Sequence, residues 1–236
     1  FDAEAAGLSA IAATGSIRVP RPLCADIVGD RAFLAMEYIS LEGRSAAGGA
    51  MAGRQLAAMH RHTSEGFGWD RDNTIGSTRQ RNDLDPAWIS FWRDQRLALQ
   101  LELAAHNGFT GRLQSSGDRL LDLFPDLIDH DPVPSLLHGD LWGGNMSCDH
   151  MGQPVIFDPA VYYGDREADL AMTELFGGFS ADFYAAYREA WPIDVGYQTR
   201  KTLYNLYHIL NHLNLFGGGY LGQAQAMIDR LLASLR

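Results

Sequence analysis

Apolar and polar positions along this chain fall into helix-like, strand-like and aperiodic stretches, and each predicts its own kind of element. Residues 2–13 are rich in helix formers, so the chain opens within a helix. Val19-Pro20-Arg21-Pro22 breaks it, since proline has no backbone donor to continue the ladder. Leu23 to Val28 and Ala32 to Ile39 read as two strands turned at Gly29-Asp30, an antiparallel hairpin. Residues 44–50 are small and Gly-rich, a linker or loop, and from about Ala47 to His62 the spacing of Met51, Leu56 and Met59 predicts a helix.

Gly66 to Asn82 is polar, aromatic and turn-rich with no clear period, long for a structureless loop, and such loops are often functional. Pro86 then opens a helix through Trp88, Phe91, Trp92, Leu97, Leu101 and Leu103 that Asn107-Gly108 stops. A further helix is predicted from Gly111 to Leu123, a loop and short hairpin over 135–160, and helices at 166–176, 180–190, 197–215 and 221–235. The layout is a small, partly β N-terminal piece followed by a mostly helical body.

Between the helices lies the stretch that carries chemistry. Leu136-Leu137 feeds His138-Gly139-Asp140-Leu141-Trp142-Gly143-Gly144-Asn145, and Val155-Ile156-Phe157 leads to Asp158-Pro159-Ala160. A His-x-Asp followed by Asn five positions after the Asp, then a strand ending in a second Asp, is the arrangement of kinase-like phosphotransferases. Phosphoryl transfer needs a carboxylate to orient the attacking hydroxyl and accept its proton, and oxygen ligands for the magnesium that bridges the phosphates. Asp140 fits the first role, Asn145 and Asp158 the second. The fold class expected is therefore α+β and protein-kinase-like: a partial N-terminal lobe and hinge over 1–43, and a helical C-terminal catalytic and substrate-binding lobe over 44–236.

Composition narrows the setting. The 236 residues are 46% apolar and 20% charged, enough for a sizeable core in one or two domains. No apolar run approaches a membrane span, and the N-terminal stretch lacks the layout of a secretory signal. Cys24 and Cys148 are far apart without metal-type spacing, so a disulfide framework is not expected and a reducing cytoplasm is the simplest location. A net charge of −10 disfavours nucleic acid and anionic membrane as partners. It does not disfavour ATP, which is held by magnesium and a few local donors.

The motif segments, with Tyr163-Gly-Asp-Arg-Glu167, Leu175-Phe-Gly-Gly-Phe179 and Leu206 to Gly217, closely resemble the fructosamine kinase (ketosamine 3-kinase) family, a relative of the aminoglycoside and choline kinases. The resemblance covers nearly the whole chain. It implies MgATP-dependent phosphorylation of the sugar 3-hydroxyl of fructosamines or ribulosamines, free or on glycated lysines of peptides and proteins, in deglycation repair. It further implies Asp140 as base, Asn145 and Asp158 as magnesium ligands, and Trp142 in the sugar-binding surface. Met36-Glu37-Tyr38-Ile39 looks like the hinge that meets adenine, and Glu4 like the helix carboxylate that pairs with a phosphate-binding lysine. That lysine and its Gly-rich loop belong upstream of Glu4. Lys201, the only lysine, lies late in a helical segment, so the expectation is an active family member whose first segment lies outside this sequence.

Several residues have plainer readings. His138 is expected to brace its loop. Glu167 and Asp169 are expected to stabilise the loop or cap the helix that begins near Arg166. His208 and His212 lie one turn apart, but Ile209 stands where a zinc motif has Glu; packing or hydrogen bonding beside the substrate pocket fits them better, with His212 taken as a substrate-side residue. Met51, Met59, Trp88, Trp92, Phe176 and Phe183 are assigned to the core. Phe67-Gly-Trp69 and Asp72 to Ser77 either line the acceptor pocket or form an ordered surface loop. Two other functions stay open: a kinase for another small hydroxylated amine, and a sugar-binding module without catalysis.

Overall fold

The computed structural model describes residues 1–43 and 46–235. Helix α1 (Asp2–Ala13) is followed by the antiparallel pair β1 (Pro22–Val28) and β2 (Arg31–Met36), in register from Ala25↔Leu34 to Val28↔Arg31. The second strand is shorter than the expected Ala32–Ile39. It ends at Met36, where the Glu37 N–H makes its last bond to the Arg21 carbonyl (2.8 Å). A short β3 (Leu41–Gly43), absent from the sequence reading, follows.

Helix α2 (Ala46–His60) takes in most of the stretch read as a Gly-rich loop; residues 44 and 45 of that stretch lie outside the described residues. Its glycines serve packing. A Cβ on Gly49 would overlap Ser180, and one on Gly53 would overlap the Phe183 carbonyl, so α2 and α7 (Ala181–Ala190) approach backbone to backbone. The entropic cost of glycine in a helix is offset by that closeness.

The aperiodic stretch Gly66–Asn82 contains a hairpin, β4 (Asn73–Ile75) and β5 (Thr78–Gln80), turned at Gly76-Ser77. Three-residue strands are too short to show alternation, which is why the pattern missed them. The helix expected from Pro86 begins at Trp88 and is one continuous rod: α3 (Trp88–Trp92), a π-helical turn at Arg93–Ala98, and α4 (Leu99–His106). Helices α5 (Arg112–Asp122), α6 (Glu167–Leu175), α7, α8 (Tyr197–Phe216) and α9 (Leu221–Ser234) complete the body.

Four short strands frame the motif. β6 (Ser135–Leu137) pairs antiparallel with β9 (Tyr162–Gly164), and β7 (Met146–Asp149) pairs antiparallel with β8 (Pro154–Ile156), with β3 on the other edge of β7. Loop 138–145 leaves β6 for β7 and loop 157–161 leaves β8 for β9, so the nested pairings bring the two loops side by side. Two apolar clusters hold this frame. One joins Leu8 and Ile11 of α1 to Leu136, Leu141 and Ile156. The other packs Trp88, Phe91 and Trp92 against Leu203, Tyr204 and Tyr207 of α8. Tyr204 and Tyr207 meet Trp92 edge-on at centroid distances of 5.1 and 5.5 Å, a geometry that gives aromatic pairs more than their buried area.

Candidate active site

The two loops are bonded into one unit. Ala160 N–H donates to the His138 carbonyl (2.8 Å) and Phe157 N–H to that of Asn145 (3.1 Å). The His138 ring braces from inside: Nε2 donates to the Phe157 carbonyl (3.0 Å) and Nδ1 accepts from Asp140 N–H (3.3 Å). That pairing requires the neutral imidazole, and burial accordingly lowers the His138 pKa. Gly139 is required at its place. Its φ is +82°, and a Cβ there would overlap the Ala160 carbonyl.

Asp169 anchors the base of the loop from α6. Its carboxylate accepts the backbone N–H groups of His138 (2.7 Å) and Gly139 (2.8 Å) and pairs with His60 Nε2 (3.1 Å). Burial works against this charge, yet His60 and the loop donors hold its pKa below the usual carboxylate range. Asp169 thus stabilises the 138–145 loop, one of the two roles expected of it. Glu167 neither caps nor braces the loop; it forks onto Arg200 (2.7 and 2.9 Å).

Asp140 and Asp158 face one cavity of about 320 Å³, lined also by Glu4, Asn73, Thr74 and Ala160. The Asn145 amide nitrogen bonds the Asp140 carbonyl (2.9 Å), reaches its Oδ2 (3.5 Å) and touches the Asp158 carbonyl (3.4 Å). Asn145 therefore joins the two loops through its amide nitrogen. Asp158 adopts φ +58°, a left-handed conformation no other non-glycine shares among the described residues. A local backbone cost of this kind persists only where the surrounding structure enforces it.

No arginine or lysine among the described residues lines the cavity. Its carboxylates therefore repel each other. Burial, followed by the Asp158 and Asp169 charges, pushes the Asp140 pKa up to about 7. Burial and then Asp158 raise that of Glu4. Such a set of hard oxygen donors with uncompensated charge suits a divalent cation. Lys201 is engaged elsewhere, with Glu174 (2.6 Å).

The four hinge candidates stand apart from this cavity. Met36 ends β2, and the Glu37 carboxylate takes the Arg18 guanidinium (3.1 Å), which also reaches Asp149 of β7 (2.5 Å). Tyr38 is 90% exposed and Ile39 is half-buried. Arg18 thereby ties the chain after β2 to the β7–β8 hairpin.

Trp142 and His212 are brought together through a residue the sequence reading misassigned. Phe176, expected in the core, is 43% exposed, because α6 ends there and its ring turns outward. Trp142 meets it edge-on at 6.4 Å, and His212 lies 5.0 Å from it, followed by Phe216 and Tyr220 at 5.3 and 5.2 Å from the imidazole. Gly144 lies under the Trp142 indole, where a Cβ would overlap it. The result is an aromatic wall beginning two residues from Asp140. The other members expected in the core are buried, except Met51, which is half-buried. His208 is buried behind the wall, and burial drives its pKa down to about 3, so it stays neutral. His212 directs Nδ1–H to the His208 carbonyl (2.8 Å).

Of the Asp72–Ser77 stretch, read as lining the acceptor pocket or as an ordered surface loop, Asn73, Thr74 and Gly76 line the cavity of Asp140 and Asp158; the residue the sequence reading did not single out is Gln80, on the second strand of the unrecognised hairpin. Asn73 bonds the Val161 carbonyl (2.7 Å), and Gln80 bonds Asn73 (2.8 Å) and the Ala160 carbonyl (3.1 Å). These bonds fasten β4–β5 to the Asp158 loop. The Asn-Thr-Ile-Gly-Ser turn chemistry was the one available signal.

Comparison with known proteins agrees with this geometry. A sequence model of the fructosamine kinase family matches residues 1–234. A Synechocystis protein assigned as a ketoamine kinase is 48% identical over 98% of this chain and 78% of its own length. The Arabidopsis thaliana protein-ribulosamine 3-kinase, chloroplastic, is 43% identical over 100% of this chain and 73% of its own. Among solved structures, a Haemophilus somnus protein assigned as a fructosamine-3-kinase superposes with a TM-score of 0.90 at 30% identity, covering 98% and 79% of the two chains. Choline kinase from Streptococcus pneumoniae, 14% identical with a TM-score of 0.65 over 98% and 80%, shares the fold alone. The motif loops, their shared cavity and these matches lead to one conclusion: the chain belongs to the fructosamine kinase family, within the protein-kinase-like fold.

Proposed function

We infer that this protein is an ATP-dependent kinase that phosphorylates the 3-hydroxyl of ketosamines, fructosyl or ribulosyl amines including glycated lysines of peptides and proteins. The observation that carries this is the convergence of Asp140 and Asp158 on one cavity, with the Asn145 side chain bonded to both loops. Asp140 is the base. Its carboxylate orients the sugar hydroxyl and accepts its proton as the oxygen attacks the γ-phosphate in line. The raised pKa suits that task, because a carboxylate titrating near neutrality binds a proton more firmly than an ordinary aspartate.

Asn145 and Asp158 would hold Mg²⁺, which neutralises phosphate charge as transfer proceeds. The uncompensated carboxylates of the cavity fit such an ion. Met36 to Ile39 would offer backbone groups to adenine, and Glu4 would meet the phosphate-binding cation. Trp142 and His212, with Phe176 between them, would receive the sugar and its amine, since aromatic faces take up the apolar faces of sugars and attract cations. The two unpaired cysteines fit a reducing, cytoplasmic setting. No helix among the described residues is long and apolar enough to cross a membrane.

The test is MgATP-dependent phosphorylation of ribulosyl- and fructosyl-lysine by the expressed gene product, read by product mass. A gain of one phosphate that vanishes with Asp140→Asn is expected. Transfer to choline or an aminoglycoside instead would replace the acceptor, and binding of ketosamine without transfer would replace the activity.

A further inference from the structure

Arg18 sits where three parts of the molecule meet. Its backbone carbonyl accepts the Ile156 N–H (3.0 Å), so it runs parallel beside Val155 in β8, whose chain continues to Asp158. Its guanidinium forks between two carboxylates on different elements: Asp149, which ends β7, and Glu37, just past β2 (3.1 Å). The two ends of the fork differ. The Asp149 side chain is fully buried and also accepts the N–H groups of Met151 and Gln153 (2.9 Å each), which fix the β7–β8 turn. The Arg18 and Glu37 side chains are each 37% exposed. Asp149 is therefore the fixed end, and Glu37 is the end that Arg18 positions.

Glu37 is held from the strand side as well. Its N–H donates to the Arg21 carbonyl (2.8 Å), and its carboxylate accepts the Arg21 N–H (3.3 Å). The chain then leaves the sheet. Tyr38 and Ile39 belong to no strand, and their backbone groups make no hydrogen bond among the described residues. Backbone donors and acceptors that the fold does not use are free to meet a ligand. They bind it best when the chain that carries them is already held in place. Met36 packs against the apolar cluster that contains Met146 and Ile156. The segment therefore lies against the same β7–β8 hairpin whose ends continue into Asn145 and Asp158. An ion pair as exposed as Arg18–Glu37 adds little to stability, so its consequence lies in what it positions.

We propose that Arg18 is a positioning residue for the nucleotide: it fixes segment 36–39 relative to the loops of Asn145 and Asp158, and so governs affinity for ATP and not for the acceptor. This rests on the reading of Met36 to Ile39 as the adenine-binding segment and of Asn145 and Asp158 as holders of the phosphate-bridging ion. A nucleotide bound in that way is long, with its base at one end and its phosphates at the other. It binds tightly only when both ends meet their partners in one arrangement of the protein. The Arg18 fork joins the elements that carry those two ends. Without it, the segment after β2 keeps only its Arg21 contacts, and the nucleotide must order that segment as it binds. The wall of Trp142, Phe176 and His212 shares no bond with the fork among the described residues, so the sugar side is left as it is.

The test is calorimetric titration of the expressed gene product with ADP in excess Mg²⁺, for the wild type, Arg18→Met, Glu37→Ala and the double variant. Each single variant should weaken ADP about tenfold, the order of one lost charge-assisted contact. The double variant should be no weaker than the singles, because the two side chains act as one pair. Glu37→Ala leaves Asp149 paired, so the comparison holds even where Arg18→Met loses stability. In turnover, Arg18→Met should raise the KM for ATP by a similar factor while the KM for ribulosyl-lysine stays unchanged. ADP binding unchanged in both singles, single effects that multiply in the double, or a loss falling equally on ATP and ribulosyl-lysine would overturn the proposal. The titration does not involve the acceptor. A wild type that binds ADP but phosphorylates no ketosamine therefore corrects the proposed reaction alone, and one that binds no ADP overturns both.

Discussion

Two groups of carboxylates lie within a short stretch of this chain, and the fold treats them oppositely. Asp165, Glu167 and Asp169, at the start of α6, are fully buried and each has a strong partner. Asp165 takes His130 Nε2 (2.7 Å) and the Tyr204 hydroxyl (2.5 Å), Glu167 takes the Arg200 fork, and Asp169 takes His60 and the loop donors. His130, Asp165 and Glu167 are close enough to suggest a metal site, but Arg200 and Tyr204 already occupy the carboxylates and supply the positive and donor groups an ion would bring. In the cavity of Glu4, Asp140 and Asp158 no arginine or lysine among the described residues lines the wall; burial and neighbouring carboxylates raise the pKa values of Glu4 and Asp140, whereas those of Asp165 and Asp169 fall, and burial raises that of Glu167 despite its Arg200 fork. Paired acids build the scaffold, and unpaired acids wait for a ligand. Partnering, more than the direction of the pKa shift, distinguishes the two groups, and it is the cavity group that the proposed function uses.

The comparison can be broken at its two poles. The largest effect is expected from Asp140→Asn, which removes the base and should lower turnover roughly 10²–10⁴-fold with the fold intact, read by product mass against time. Next is Asp169→Ala, which strips His60 and two backbone donors of their partner. It should cost roughly 3–5 kcal/mol in denaturant unfolding at neutral pH. Full stability in that variant would mean that the loop does not depend on this anchor.

A pH series sharpens the contrast because the two signs are opposite. Asp140 has a folded pKa of about 7, above its unfolded value, so the unliganded fold holds an extra proton between. Its stability should fall as pH rises from about 4 to about 7, then level off, and Asp140→Asn should remove that slope and gain roughly 2–4 kcal/mol above pH 7. Asp169 has a depressed folded pKa, so its contribution is present above about pH 4 and lost as pH falls through the folded value. A stabilising Asp140 variant would be the signature of an active site held at a cost to stability. The smallest stability effect is expected at the aromatic wall. Trp142 is 41% exposed, so Trp142→Ala should shift unfolding by under about 1 kcal/mol while raising the KM for ketosamine about tenfold. The reverse pattern would return Trp142 to the core.

The helical body was legible because long amphipathic segments repeat their period several times: α8 and α9 lie where the spacing predicts them. The β1–β2 hairpin was legible from two apolar runs around Gly29-Asp30. The glycines of α2 misled because their value lies in α7, more than a hundred residues away, and no local rule carries that information. Phe176 misled for a similar reason: an aromatic at a helix end packs in or out according to what lies opposite.

Residue types and spacing alone put the chain in the kinase-like fold and singled out Asp140, Asn145 and Asp158 as the proposed constellation, whose two loops the structure joins through the Asn145 side chain. Only the tertiary structure decided what surrounds them. It set Asn73 and Thr74 on the cavity wall, joined Trp142 to His212 through Phe176, and lined the cavity with no arginine or lysine among the described residues while pairing the acids of α6. Those outcomes depend on contacts between segments far apart in the chain, where a side chain's partner, and so its charge and role, is fixed by packing rather than by its neighbours in sequence.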